Sequence, residues 1–121
     1  MTSARARATI GRVAAGTYEI IAEELQADPA VRTGVMFGHR CLKTGRRMFA
    51  CEYEGELMLK LPPDRLEELK RDGARDFNPM GRRMNGWILV AEPADDAVGV
   101  WLDLAEEAKA FVAAPSGSAD A

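Results

Sequence analysis

The chain has 121 residues, 47% hydrophobic and 29% charged, and carries a net charge of −3 at pH 7. That is one domain with enough apolar material for a core that needs no metal or disulfide staple. The totals exclude a disordered chain, and no apolar run approaches the ~20 residues of a membrane span. Arg5, Arg7 and Arg12 begin no secretory leader, because no apolar stretch follows them. Cytoplasm is the expected compartment.

The charge is unevenly spread. Through Cys51 there are eight Lys/Arg against four Asp/Glu, and beyond it eight against fifteen. A domain that grips nucleic acid strongly carries a positive excess overall, so the totals leave room only for a local contact.

MTSARARA at the start and PSGSADA at the end read as flexible, over about 1–12 and 115–121. A helix is expected over about 17–27, with Thr17 as N-cap and Ile21 and Leu25 on one face. Asp28–Pro29 ends it, since the residue before proline disfavours helical geometry. Val35–Phe37 is an apolar run broken by Gly38. A three-stranded meander then follows: Arg40–Lys43, a Thr44–Gly45 turn, Arg46–Tyr53, a Glu54–Gly55 turn, and Glu56–Leu61. In that register Met48, Ala50, Glu52, Leu57, Leu59 and Leu61 share one face. Phe49, Cys51, Tyr53 and Met58 lie on the other. Both faces are greasier than a sheet covered on one side requires. The second set is therefore expected to meet another element or a second subunit.

Pro62–Pro63 opens a helix with Leu66 and Leu69 inward and Gly73 just past its end. Asp76–Gly86 is turn-rich, and Trp87–Ala91 reads as a further strand. Asp95 or Asp96 starts a last helix with Trp101, Leu104, Ala105, Ala108, Phe111 and Val112 on one stripe. Pro115 stops it.

The chemistry-bearing residues are few. His39, Cys41 and Cys51 are too few ligands for a zinc site. With a two-residue Thr44–Gly45 turn, Cys41 faces Met48 and Cys51 points to the other side of the sheet, out of disulfide reach. A loop one residue longer reverses that. Arg40, Lys43, Arg46 and Arg47 gather near one hairpin tip, with Arg82 and Arg83 as additions, and form a candidate anion or nucleic-acid contact weighed against a solvated turn. Only Phe49 and Tyr53 are near enough to stack bases. Paired carboxylates, a catalytic triad, GxGxxG and a Walker sequence are all missing. The reading is a domain with no catalytic residues, no cofactor and no metal.

The stretch MFGHRCLKTGRRMFACEYEGELMLKL resembles the N-terminal domain of the TfoX/Sxy family. The resemblance lies in an MFG turn, a glycine-containing hairpin, a K/R-x-F-A strand and an L-x-L-K strand. PPDRLEELKRDGARDFNPMGRRMNGWILV is similar to the helix, F-x-P-x-G loop and tryptophan strand of the family's short standalone members. The likeness covers about 35–113, with Met36, Phe37, Gly38, Gly45, Phe49, Gly81 and Trp87 as fold markers. It implies an α+β fold in the order α-β-β-β-α-β-α. The sheet is antiparallel, of three to five strands, with helices at both ends of the chain, an architecture related to the YjbR group and to secretion-chaperone-like dimers. It implies a regulatory role and supplies no catalytic residue. Three readings stand on this sequence: a cytoplasmic domain acting by protein–protein contact, as a homodimer or with another protein; a nucleic-acid contact at the basic tip; and a small-ligand domain with His39 and Cys41 at its pocket.

Overall fold

The computed structural model describes residues 16–78, 81 and 84–114. The expected flexible ends and both Arg82 and Arg83 lie outside them. The elements are α1 (Thr17–Leu25), β1 (Val31–Met36), β2 (His39–Thr44), β3 (Arg47–Tyr53), β4 (Glu56–Lys60), α2 (Pro63–Arg71), β5 (Arg75–Asp76), β6 (Trp87–Val90) and α3 (Ala97–Ala113). The α+β order matches the expectation, but the sheet has six strands, in the order β1-β2-β3-β4-β6-β5, with every neighbour antiparallel. No helix among the described residues is long and apolar enough to cross a membrane.

Gly16, not Thr17, is the N-cap of α1. Thr17 is its first helical residue, and its hydroxyl donates to Glu92 Oε2 at 2.6 Å. The i, i+4 stripe behaves as read: Tyr18, Ile21 and Leu25 are buried. So are Trp101, Leu104, Ala105, Ala108 and Val112 on α3. These two helices pack on each other, and α3 lies on β2, β3 and β4. Their side chains meet Leu42, Phe49, Ala50, Leu57, Leu59 and Ile88 in the main core. Each fully buried Leu, Ile or Phe side chain among them contributes roughly 1.5–3 kcal/mol of transfer free energy.

The opposite face carries a smaller core of Cys41, Cys51, Met58, Phe77, Trp87 and Leu89, with Met36, Met48, Tyr53 and Met84 against it. Phe77 and Met84 come from the segment between β5 and β6. Their backbones are joined by a hydrogen bond from Met84 N to Phe77 O of 2.8 Å. This segment does the covering that a second subunit was expected to do. A need to shelter that face therefore no longer argues for a partner.

The β2–β3 register departs from the regular hairpin, for two reasons. The turn residues are Gly45 and Arg46, because Thr44 pairs with Arg47. Gly45 has φ of 61°, as the first position of a tight II′ hairpin turn needs. Then Lys43 pairs with Met48 but Leu42 pairs with Ala50, so Phe49 is the extra residue of a β-bulge. A bulge breaks the alternation of faces. Phe49 and Ala50 both point to the main core, Met48 moves to the opposite face, and Cys41 comes to lie directly across from Cys51.

Candidate functional site

Three features draw chemistry-bearing or exposed side chains together: the Cys41–Cys51 pair, the cleft beside α1, and the open edge of the sheet at β1. The first corrects the sequence expectation. Cys41 and Cys51 form a disulfide between adjacent strands. Both residues are buried among the methionines and aromatics of the opposite face. The turn shift and the bulge together bring them into register. His39 stands nearby with its ring 4.5 Å from that of Tyr53, which in turn meets Phe77 edge-on at 4.9 Å. Among the described residues no group of three or more His, Cys, Asp or Glu is arranged to hold a metal ion.

The cleft has a volume of about 620 Å³. One flank of α1 (Tyr18, Glu19, Ala22) forms its wall, and β1 and β2 (Thr33, Val35, Arg40) its floor. Arg40 is tied down there. Its Nη1 donates to Glu19 Oε2 at 2.6 Å, its Nη2 lies 3.9 Å from Glu52 Oε1, and its guanidinium sits 5.0 Å over the Tyr18 ring. Burial pushes the Tyr18 hydroxyl up to about 12, against the lowering pull of Arg40 and helped by Glu52 and Glu19. Burial alone would also raise Glu19, but hydrogen bonds from Arg40 and from backbone, with the Arg40 charge, carry it below the usual carboxylate range. A phenol raised so far and a carboxyl held low are poorly matched to proton transfer near neutrality.

The basic cluster is rearranged. Arg40 is the second residue of β2 and Lys43 lies near its far end, so Arg40 is not part of the tip. Arg46 and Arg47 are exposed at the turn, beside Lys43. The sequence reading missed Arg32, which stands directly across from Lys43 on β1. Only the strand register reveals it, because eleven positions separate the two residues. Of the four residues expected to face a second subunit, Phe49 is in the main core, Cys51 and Met58 are buried in the opposite one, and Tyr53 keeps partial exposure.

Among the described residues the large apolar side chains that face outward are Val35, 67% exposed, Phe37, 53%, and Val100, 37%. Val35 and Phe37 are two residues apart. Val35 lies on β1 and Phe37 on the turn that follows it. Phe37 holds φ of 54°, a left-handed conformation that suits Asn or Gly and is uncommon for a bulky residue. Its ring reaches Phe77 at 6.1 Å. The two edges of the sheet differ. β5 is two residues long and flanked by an Arg75–Glu56 ion pair. β1 offers six residues with no proline and no bulge of its own. Short, charged edges resist pairing, whereas β1 is open to it.

The family model described as the TfoX N-terminal domain matches residues 23–112. No curated protein matches the chain.

Proposed function

The chain belongs to the TfoX N-terminal domain family, and from that premise we propose that it is a non-enzymatic cytoplasmic regulatory protein that works by protein–protein contact, pairing along β1 with a second copy of itself. The carrying observation is the coincidence, among the described residues, of the two most exposed large apolar side chains, Val35 and Phe37, with an uncovered edge of the sheet. An added strand would satisfy the outward backbone groups of β1 and cover Val35 at once. An antiparallel pair centred on Gly34 sets Val35 of each copy beside Thr33 of the other. It also keeps the two Arg32 residues roughly 14 Å apart along the strands. The α1 flank beside the cleft adds area that a six-residue strand pair lacks on its own.

Sedimentation equilibrium tests this. Wild-type protein is expected to sediment as a dimer that dissociates on dilution. Val35→Lys should sediment as a monomer, with its own stability changed by no more than about 0.5 kcal/mol, as for other exposed positions. A wild-type monomer at every concentration up to about 100 μM contradicts the reading.

A further inference from the structure

We propose that the end of the sheet formed by Arg32, Lys43, Arg46 and Arg47 is a binding surface for the phosphate backbone of duplex nucleic acid. The first ground is the register. Arg32 on β1 and Lys43 on β2 are directly opposed partners, and like charges in that relation destabilise a sheet. Met48 continues the row on β3 as the partner of Lys43. The Lys43 stem lies against β1, where a Cβ placed at Gly34 would meet its Cε at 3.7 Å. Two cations therefore share one strip of surface, with two more at the adjoining turn.

The second ground is the lack of compensation. Among the described residues none of these four side chains makes an ion pair or a hydrogen bond with a carboxylate. Three acids of the adjoining elements are engaged elsewhere. Asp28, in the turn before β1, holds Lys109 at 3.0 Å and accepts from Ala30 N at 2.9 Å. Glu19 and Glu52 hold Arg40. A chain with a net charge of −3 thus keeps an uncompensated positive strip at one corner.

The third ground concerns which polyanion fits. Of the partly or fully exposed rings, Phe37, His39 and Tyr53 lie at the other end of the strands and Phe111, on α3, is packed against the main core; Trp87, at the same end as the basic residues, is buried beneath Lys60. The surface has charge but, among the described residues, no fully exposed ring to serve as a stacking platform. That suits contact with a duplex backbone and not with unstacked single-stranded bases. This surface does not depend on β1 pairing, because it extends onto β2 and the β2–β3 turn.

Fluorescence anisotropy with a labelled DNA duplex of about 20 base pairs tests the assignment. Neutralising three or four phosphates gives a log–log salt slope of about −2.7 to −3.6. Affinity should then fall roughly 40- to 150-fold between about 50 and about 200 mM salt, without sequence preference. Lys43→Ala with Arg46→Ala, both off β1, should lower the slope by about 2 while the circular dichroism spectrum and the sedimentation behaviour stay those of the wild type. No anisotropy change at about 50 mM salt overturns the proposal, as does an unaltered slope in the double variant. Competition by poly-L-glutamate as effective as by unlabelled duplex would make the surface a site for acidic protein and would also overturn it.

Discussion

Replacing Phe49 by alanine is expected to cost about 3–5 kcal/mol of folding free energy, the range for truncating a large buried aromatic. Phe49 is fully buried in the main core, between the sheet and the helices. It reaches that core only because the bulge turns it to the same side as Ala50. The neighbouring residue gives the contrast. Met48 is half-buried on the opposite face, so Met48→Lys should cost no more than about 1 kcal/mol, its long stem lying along apolar surface while the ammonium reaches water. A regular hairpin predicts the reverse order. Urea unfolding of the two variants decides between them, and a Met48→Lys protein less stable than Phe49→Ala would place the bulge wrongly.

Removing the Cys41–Cys51 bridge should lower stability by about 2.5–3 kcal/mol, because the crosslink closes a short loop and restrains the unfolded chain. The two residues are ten positions apart in sequence. Cys41→Ala with Cys51→Ala is the suitable variant, since alanine leaves no buried hydroxyl without a partner. Its melting temperature should fall by roughly 10 °C, and dithiothreitol should lower the wild type by a similar amount. The native spectrum should survive in both cases, because the strands are paired through their backbones whether or not the sulfurs are joined. Reducing cytoplasm opposes stable disulfides, so the same measurement reports how much of the fold's stability is independent of the bridge. Two thiols that react stoichiometrically in unreduced protein, together with a melting temperature indifferent to reductant, would show that Cys41 and Cys51 are not joined.

Much of this architecture is readable from periodicity. Ile21 and Leu25, the Trp101–Val112 stripe apart from the half-buried Phe111, and the Leu57, Leu59, Leu61 alternation each bury the face that the spacing marks. The Glu54–Gly55 turn falls where an acidic residue before glycine suggests. What escaped has physical causes. VRTGVM shows no clean alternation because an edge strand packs weakly on both sides, and only Val31 in it is buried. Arg75–Asp76 is too short for a pattern and is a strand only through its partners Ile88 and Leu89. The bulge is a single residue that shifts the meaning of its neighbours. It moved Phe49 away from the outer face, exchanged it with Met48, and brought Cys41 against Cys51. The basic strip depends on the same kind of information, since Arg32 and Lys43 become neighbours only when β1 and β2 pair.

Phe77 and Met84 shelter the outer face of the meander, and the edge at β1 carries the exposed apolar side chains. Arg40 and Glu19 are spoken for inside the cleft, whereas Val35 and Phe37 are left to solvent by a strand that nothing among the described residues completes.

Amide hydrogen exchange of β1 at two protein concentrations tests that idea most directly. Pairing along the edge predicts that the amides of residues 32–36 exchange markedly more slowly at about 100 μM than at about 1 μM, while those of β5 do not change. Equal exchange of β1 at both concentrations would contradict self-association through this strand.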